Sequence, residues 1–411
     1  MVKKGEEELN VMKSILIFSH GMEIGGAEKA LLGLLEAVDT SKYQVDLFLM
    51  RHTGELYQYI PKGIHVLDEK PEYASLAVPI IKVLKKGQFS IAWKRFLGKK
   101  NALKRVKELG LPVDNDVALE YSHKYTLKVM PNINEKEYDL AISFLTPHYF
   151  VAEKVCAKKK IAWIHTDYSK VAVDKESQLK MWNAYDIIAS ISEDVTKSFL
   201  RCFPELERKI QLLPNIMPIN YIKKMAEEFS VKEEMRDDGA IKLLSIGRFC
   251  LAKNFDNVPW ICKYLLNVGI NVKWYLIGFG DSEELIRKQI IEADATENVI
   301  ILGKKENPYP YIKECDIYIQ PSRYEGKSVS VIEAQILHKP VIITNYATSK
   351  SQLEDGIDGM IVPMDNKECA KGIGKILKDE ELLNTLIKNT IKREYVDFGG
   401  IQKLYRIMGE K

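Results

Sequence analysis

Short apolar runs that end near Gly, Ser or Pro recur along both halves of the chain. Runs of this kind are typical of strands buried on both faces of a parallel sheet. In the first half they occupy residues 14–19, 44–50, 140–145, 160–164 and 187–191. In the second half they occupy residues 242–247, 272–278, 299–303, 317–320 and 340–344. Helical patterns follow most of them, so the sequence predicts an α/β protein with two doubly wound, Rossmann-like domains.

The length of 411 residues suits two domains of roughly 200 residues each. A polar, charged stretch without strand character separates the halves, and the last segment looks helical with an interruption near Phe398-Gly-Gly400. We predict a flexible tail, a first domain, a linker, a second domain and a C-terminal helix that crosses back onto the first domain. Their bounds are 1–13, 14–219, 220–240, 241–390 and 391–411.

Composition excludes several other classes of protein. Apolar residues make up 46% and charged residues 28%, which is typical of a globular chain, and a net charge of +3 does not indicate a nucleic-acid-binding protein. The six cysteines form no CxxC pair, so no zinc or redox motif is predicted. No export signal and no run of ~20 apolar residues is found. We therefore expect a cytoplasmic protein, soluble or peripheral on the inner face of the membrane.

Four charged residues follow strand ends in the second half. Arg248 and Lys253 come after the run 242–247, and these side chains suit phosphate oxygens. Glu325 and Glu333 come after the run 317–320, and a carboxylate can accept two hydrogen bonds from a sugar diol. A helix begins near residue 328, where backbone N–H groups would bind an anion. Together they describe a site for a nucleoside diphosphate sugar; the alternative is four ordinary surface residues.

These motifs resemble the retaining GT-B glycosyltransferases of family four. The resemblance rests on Gly-Arg…Lys-Asn-Phe-Asp, Ile-Gly-Phe-Gly-Asp, and Pro-Ser-Arg-Tyr-Glu-Gly followed by Glu-Ala, all within residues 241–365. In that family two glutamates separated by seven residues are the signature, and Glu325 and Glu333 match them. The first domain agrees more loosely, through Gly25-Gly26, Trp163-Ile-His165 and 213–215. The resemblance implies a GT-B fold whose two domains face each other across a cleft.

The resemblance also implies roles for single residues. Arg248 and Lys253 hold the donor diphosphate, Glu333 binds the ribose, Glu325 binds the transferred sugar, and His165 reaches that sugar near its reacting carbon. The implied catalytic set is Glu325, His165, Arg248 and Lys253. The implied donor-binding set is Arg248, Lys253, Gly278, Gly280, Lys304, Glu325, Gly326, Lys327, Ser328, Val329 and Glu333. Gly25 and Gly26 form a loop near a phosphate or the acceptor.

The implied activity is that of a hexosyltransferase-type enzyme (EC 2.4) that retains the configuration of the transferred sugar. The expected donor is a UDP-sugar, and the expected acceptor is a glycan or lipid-linked saccharide in bacterial surface polysaccharide synthesis. No cofactor or metal is expected, because the two cations can carry the charge. Lys327, Ser328 and Val329 stand where Phe-Gly-Leu is frequent, which leaves the donor open. The alternatives are a GT-B nucleotide-sugar epimerase and a non-catalytic sugar-nucleotide-binding protein.

Residues 80–107 are strongly basic and contain no acidic residue from 82 to 107. Trp93 and several Phe, Ile and Leu side chains are interleaved with the cations, a pattern found in helices that lie in anionic membrane interfaces. A solvated helical face packed on its own domain is an equal alternative, and RNA binding is less favoured. The basic residues are Lys82, Lys85, Lys86, Lys94, Arg95, Lys99, Lys100, Lys104, Arg105 and Lys107.

Overall fold

The computed structural model describes residues 12–112, 115–169, 171–325, 328–393 and 398–409. The chain forms two compact units. The first comprises Met1–Pro218 together with Asp397–Lys411, and the second comprises Ile219–Val396. Each unit has its own sheet and its own hydrophobic core.

The first unit is built on a seven-stranded sheet in the order β3-β2-β1-β4-β5-β6-β7, with every described pair parallel. Its strands are β1 (Lys13–Ser19), β2 (Tyr43–Leu49), β3 (His65–Val66), β4 (Glu137–Ser143), β5 (Cys156–Ile164), β6 (Ile187–Ser190) and β7 (Ile210–Leu212). The five predicted strands are confirmed. The two unpredicted ones, β3 and β7, are short edge strands, which carry too few residues to show a period.

Helices cover the faces of this sheet. They are α1 (Gly26–Ala37), α2 (Pro71–Ala74), α3 (Ile80–Lys85), α4 (Phe89–Leu109), α5 (Val117–Thr126), α6 (Tyr149–Lys154), α7 (Lys175–Asn183) and α8 (Glu193–Cys202). Local sequence explains several ends: Ser192 caps α8 by accepting from the Val195 N–H, and Gly110 ends α4 with a φ of 61°. Within α1, Gly33 allows close packing, because a Cβ there would lie 2.0 Å from the Ile216 carbonyl oxygen.

The second unit is built on a six-stranded parallel sheet in the order β10-β9-β8-β11-β12-β13. Its strands are β8 (Ile241–Ile246), β9 (Val272–Ile277), β10 (Val299–Gly303), β11 (Ile317–Gln320), β12 (Val341–Thr344) and β13 (Met360–Val362). The five predicted strands are confirmed, and the edge strand β13 is additional. In each sheet the strand order reverses once, between β1 and β4 and between β8 and β11. The crevice at such a reversal is where doubly wound folds bind ligands.

The helices of the second unit are α9 (Ile219–Met225), α10 (Val258–Asn267), α11 (Glu283–Glu292), α12 (Tyr309–Glu314), α13 (Val329–Ile336), α14 (Ser349–Gln352), α15 (Asn366–Leu377) and α16 (Glu380–Lys392). Single 3₁₀ turns occur in both units, at Tyr57–Tyr59, Ser75–Ala77, Leu127–Val129, Pro204–Lys209 and Leu251–Lys253.

The segment 220–240, expected as a linker, lies within the second unit. Val231 and Met235 are buried in it. The carboxylate of Glu234 accepts a hydrogen bond from the Tyr311 hydroxyl at 2.5 Å and pairs with Lys305 at 2.6 Å. The segment therefore packs on its own unit through residues far along the chain, which its polar composition did not indicate.

The C-terminal segment returns to the first unit as α17 (Phe398–Ile407), as the predicted crossing required. Tyr405 stacks on Tyr43 with ring centroids 4.5 Å apart, and its hydroxyl accepts from the Asp39 N–H at 2.8 Å. The interruption expected near Phe398-Gly-Gly400 is confirmed, because α16 ends at Lys392 and α17 begins at Phe398. The two glycines themselves lie in the first turn of α17. A first turn tolerates glycine, since its N–H groups have no partner within the helix. No helix in the described ranges is long and apolar enough to cross a membrane.

Candidate functional site

The loops after β8 and β11 meet at the strand-order reversal of the second sheet, and they bring two predicted residues together. Lys253 Nζ donates to Glu325 Oε1 at 2.5 Å, and the Ser322 hydroxyl donates to the same oxygen at 2.7 Å. Both side chains are largely buried, at 18% and 12% exposure. The pair lies at the carboxyl ends of adjacent strands, which places it where the fold class binds its ligands.

A second, unpredicted ion pair locks the two loops together. Arg323 forms a two-pronged contact with Asp256, with N–O distances of 2.8 and 2.7 Å, and this contact raises the pKa of Arg323. The buried Asn254 has a left-handed backbone with φ of 60° and donates to the Pro321 carbonyl oxygen at 2.8 Å. Two-pronged Arg–carboxylate pairs restrict geometry as well as adding energy. These contacts therefore hold the loops after β8 and β11, which contain Lys253 and Glu325, in a fixed relative position.

Glu333 lies in the second turn of α13, as predicted, and is only 6% exposed. The Tyr309 hydroxyl, from α12, donates to one of its carboxylate oxygens at 2.8 Å. Burial and the neighbouring Glu333 charge raise the pKa of Tyr309 well above its usual value, so the hydroxyl keeps its proton and remains a donor. Tyr309 was missed by the sequence analysis because nothing in its local pattern points to a residue on another helix.

The two glutamates converge on the same region. Tyr318, buried in β11, has its pKa raised by burial first and then by the charges of Glu333 and Glu325. Its hydroxyl donates to Gln320 Oε1 at 2.8 Å, and the Gln320 amide donates to Ser322 at 2.9 Å. A connected polar network of this kind fixes side chains that a loop alone would leave free.

The start of α13 differs in detail from the anion site expected there. The Ser328 N–H donates to Gln352 Oε1 at 2.6 Å, and Gln352 Nε2 donates to the Ser328 carbonyl oxygen at 3.2 Å. The Ser328 N–H therefore already has a partner in this structure. Val329 is the first helical residue and is half exposed, at 52%. The predicted Gly326 and Lys327 lie outside the described residues.

The remaining donor residues sit on neighbouring loops of the same sheet. Gly278 and Gly280 have φ values of 154° and 152°, and a Cβ at either would collide with the backbone of residues 247–249. These glycines therefore pack the loop after β9 against the backbone that carries Arg248. Lys304 follows β10 and places its Nζ 5.5 Å from the ring of Phe279, which is exposed. An exposed aromatic ring beside a cation offers a flat surface for a planar group.

Arg248 itself is exposed, and no hydrogen bond or ion pair of its guanidinium occurs among the residues that the structure describes. The site thus contains the exposed guanidinium of Arg248 and the ammonium of Lys253 paired with Glu325. It also contains the buried carboxylate of Glu333, which accepts a hydrogen bond from Tyr309. This arrangement can bind a diphosphate between two sets of hydroxyl groups. In the described ranges, no group of three or more His, Cys, Asp or Glu side chains could hold a metal ion.

His165, Gly25 and Gly26 belong to the first unit. His165 follows β5, with its ring centroid 4.6 Å from that of Phe144. Its Nε2 is buried and has no partner within the described part of the chain. Burial lowers the pKa of His165 to about 4, so the ring is neutral near pH 7. Gly25 and Gly26 begin α1, and the space around Gly26 is open, since a Cβ there would meet nothing within 4 Å.

Two further histidines, His123 and His148, are buried in the first unit and were not singled out in the sequence. Burial lowers the pKa of each to about 3. The His148 ring bonds to the Ser143 hydroxyl at 2.8 Å, and its centroid lies 4.8 Å from that of Trp182. A single histidine gives no local signal that distinguishes burial from exposure, which is why the sequence did not indicate them.

The strand orders of the two sheets define two doubly wound α/β units, the components of a GT-B fold. Solved structures agree on the fold: HepE of Anabaena in complex with UDP and glucose has a TM-score of 0.52 at 16% identity, covering 92% of this chain and 93% of that one. TarM has a TM-score of 0.58 at 12% identity, covering 97% and 99%. Residues 226–393 match the family described as Glycosyl transferases group 1, and the chain is a glycosyltransferase.

Among sequence relatives, a Campylobacter jejuni enzyme is 23% identical over 90% of this chain and 92% of its own length. Its name is N-acetylgalactosamine-N,N'-diacetylbacillosaminyl-diphospho-undecaprenol 4-alpha-N-acetylgalactosaminyltransferase. The Staphylococcus aureus capsular polysaccharide biosynthesis glycosyltransferase CapM is 28% identical, over 53% of this chain and 58% of its own. The predicted GT-B fold and glycosyltransferase activity are thereby confirmed.

Proposed function

We propose that this protein is a retaining glycosyltransferase of family four that transfers a sugar from a UDP-sugar to a lipid-linked saccharide. The process it serves would be the synthesis of a bacterial surface polysaccharide. The observation that carries the proposal is the Lys253–Glu325 pair beside the open Arg248, at the strand-order reversal of the second sheet.

In this proposal the diphosphate binds between Arg248 and Lys253. The Lys253 ammonium has three N–H donors, and one of them serves Glu325, so it can hold a phosphate oxygen and the carboxylate together. Glu325 then accepts hydrogen bonds from hydroxyls of the transferred sugar. Glu333, oriented by Tyr309, accepts them from the ribose. Phe279 and Lys304 offer the flat surface on which the base would lie.

The reaction we propose is a front-side attack in which the acceptor hydroxyl enters on the face that the diphosphate leaves. The departing phosphate oxygen takes the acceptor proton, so no protein nucleophile is needed. Arg248 and Lys253 stabilise the negative charge that develops on the leaving group, and they make a metal ion unnecessary. His165, neutral near pH 7, donates or accepts a hydrogen bond at the transferred sugar without adding charge.

The names of similar proteins support both substrates. The C. jejuni relative is named for a diphospho-undecaprenol saccharide, and an Escherichia coli relative, 20% identical over 50% of this chain, is named a UDP-Gal:alpha-D-GlcNAc-diphosphoundecaprenol galactosyltransferase. HepE was solved with UDP-glucose. These names indicate a uridine nucleotide on the donor side and a polyprenyl diphosphate on the acceptor side.

The α3–α4 hairpin supports contact with the membrane where such an acceptor resides. Phe89, Trp93 and Phe96 are 67%, 58% and 51% exposed, and their spacing puts them on one face of α4. The opposite face packs on the unit through Ile91 and Ala92. Packing on the first unit therefore explains only the buried side of α4. The exposed side presents the aromatic stripe of Phe89, Trp93 and Phe96.

The charge around this stripe suits an anionic leaflet. Lys82, Lys85, Lys86, Lys99 and Lys100 are exposed on the same two helices. Arg95 and Arg105 are used internally instead: Arg95 donates to the Ser75 and Val78 carbonyl oxygens, and Arg105 pairs with Asp174. Aromatic side chains inserted at the interface, flanked by lysines, bind membranes through buried apolar area and attraction to anionic lipid.

The donor assignment is tested with UDP-, GDP- and ADP-sugars in a thermal-unfolding assay. A ligand at about 100 times its dissociation constant should stabilise the chain by about 2.7 kcal/mol. We expect a UDP-sugar to act in this way on the parent and on Arg287→Ala, an exposed arginine of α11, but not on Arg248→Ala. Absence of any shift would overturn the donor assignment. Product NMR must then show a retained anomeric configuration, since an epimer of the donor sugar would identify an epimerase.

Membrane contact is tested by co-sedimentation with vesicles of phosphatidylcholine alone or with phosphatidylglycerol. We expect binding to the anionic vesicles, weakened about tenfold or more in a Phe89→Ser, Trp93→Ser, Phe96→Ser variant, because a buried aromatic side chain contributes about 1.5–3 kcal/mol. Ile291→Ser, which removes an equally exposed apolar residue from the second unit, is the control. Equal binding by the triple variant would refute this contact.

A further inference from the structure

The first unit contains a cavity of about 230 Å³ at the carboxyl ends of β4 and β5. The loops after β4 and β5 contribute Thr146 and Thr166 to its exposed mouth. α5 contributes Leu119 to the mouth and Glu120 to the floor. Thr166 directly follows His165, so the cavity opens beside the histidine that the proposed reaction uses.

The floor of the cavity is polar and fixed in place. Glu120, 8% exposed, accepts from the Tyr149 hydroxyl at 2.7 Å and from Gln178 Nε2 at 3.4 Å. The Gln178 amide is oriented by its oxygen, which accepts from the Tyr168 hydroxyl at 2.9 Å and from Trp182 Nε1 at 3.4 Å. Its amino group is therefore directed to Glu120. A carboxylate accepts up to about four hydrogen bonds and an amino group donates two, so both groups keep capacity for a ligand.

The charge of the lining selects against an anion. Asp116 and Glu120 are acidic, and the described lining contains no lysine or arginine. His123 and His148 are neutral near pH 7, because burial lowers the pKa of each to about 3. A phosphate or carboxylate would meet two acidic side chains and, in the described lining, no opposing cation. A neutral group that donates hydrogen bonds would instead find acceptors in these acidic side chains.

The volume of the cavity and its apolar lining restrict the class of ligand further. Five apolar residues are among those that line the cavity: Leu119, Pro147, Val171, Val173 and Met181. A saccharide ring presents C–H surface to such walls while its hydroxyls donate to a carboxylate and accept from an amide. A volume of about 230 Å³ is below the roughly 300–1,000 Å³ of sites for larger ligands, which fits a single ring.

We propose that this cavity binds one neutral monosaccharide unit of the acceptor, with its hydroxyls between Glu120 and Gln178. The proposal rests on the proposed glycosyltransferase function, and it locates the sugar that selects the acceptor. Glu120 is a specificity residue in this assignment and takes no part in the chemical step.

The test is saturation-transfer NMR on the full chain with the methyl glycosides of glucose, galactose and their 2-acetamido derivatives, in excess UDP. UDP fills the donor site and reports on it by its own signal. Two variants address the cavity: Glu120→Gln removes the charge, and Leu119→Trp blocks the mouth from an exposed position that the fold does not depend on. Glu153→Gln, an exposed glutamate of α6, is the control.

We expect at least one glycoside to bind in excess UDP, and both cavity variants to weaken it by about tenfold or more, as expected for loss of a hydrogen bond to a charged group. Glu153→Gln should bind as the parent does. Absence of glycoside binding, or binding unchanged in Leu119→Trp, overturns the cavity assignment while the UDP signal still supports the donor site. Absence of a UDP signal overturns the proposed function instead, and the glycoside result then decides the cavity independently.

Discussion

Mild acid should destabilise the first unit, because three of its histidines are held neutral. Burial is the largest cause in each case, and it lowers the pKa of His123 and His148 to about 3 and of His165 to about 4. The neighbouring charges act in the same direction: protonated His20 and Arg95 oppose a proton on His123, and His165 and His20 oppose one on His148. No carboxylate is among the causes acting on these rings.

The sign and size of the effect follow from proton linkage. In the unfolded chain each histidine titrates near 6.5, whereas in the folded unit it takes a proton only near 3 or 4. Between those values the unfolded state binds more protons, so stability is complete above about pH 6.5 and falls as the pH falls. At pH 5 the free energy of unfolding is lower than at neutral pH by about 2 kcal/mol for each histidine, or by about 6 kcal/mol if the three sites are independent. Domains are typically stable by about 5–15 kcal/mol.

The assay is scanning calorimetry of the full chain from pH 7.5 to pH 5.0, above the range in which most carboxylates titrate. We expect the transition of the first unit to fall by roughly 12–24 °C, given about 2–4 °C per kcal/mol for a unit of this size. His148→Asn, whose amide can still reach the Ser143 hydroxyl, should reduce the dependence on pH by about a third. A first-unit transition that stays constant over this range would refute the assignment of buried neutral histidines.

Three other outcomes follow from the contacts. Arg248→Ala should lower turnover by about 10²–10³-fold, as loss of one transition-state donor does elsewhere, with little change in melting temperature because the side chain is exposed. Tyr309→Phe should weaken UDP-sugar binding about tenfold, because Glu333 loses a hydrogen bond worth about 1.5–3 kcal/mol to a charged acceptor. Tyr405→Ala should destabilise the first unit by about 2 kcal/mol, from the lost ring stacking and hydrogen bond, without changing UDP affinity.

Steady-state kinetics, donor titration and calorimetry measure these three changes in turn. Arg287→Ala and Tyr264→Phe, both on exposed surfaces of the second unit, are the matched controls for the first two variants. Full turnover in Arg248→Ala, or parental donor affinity in Tyr309→Phe, would contradict the proposed binding mode. A Tyr405→Ala variant that loses UDP affinity would show that α17 affects more than the first unit.

The elements of the fold that could be predicted are those with a pattern in a short stretch of sequence. Ten strands were located from apolar runs alone, whereas β3, β7 and β13 were missed because runs of two or three residues show no period. In the same way, Glu325 and Glu333 were found because one short motif contains both. Tyr309 was missed because it reaches Glu333 from another helix, a contact that only tertiary packing creates.

The sequence also did not predict which charged side chains are buried. Ten basic residues in 82–107 predicted one cationic surface, yet Arg95 and Arg105 turn inward to carbonyl and carboxylate groups. Glu120 lies in a helix whose sequence gives no sign that its carboxylate is buried. The sequence therefore indicated which residue types are present, and the packing decided which of them remain available to a ligand.

The return of α17 to the first unit has a consequence for synthesis of the chain. A ribosome makes residues 14–218 first, but the helix that carries Tyr405 is translated only after the whole second unit. The first unit therefore stays incomplete while the second unit is translated, and the surface around Tyr43 stays uncovered until α17 has been made. A stop codon anywhere within the second unit would thus also leave the first unit without α17.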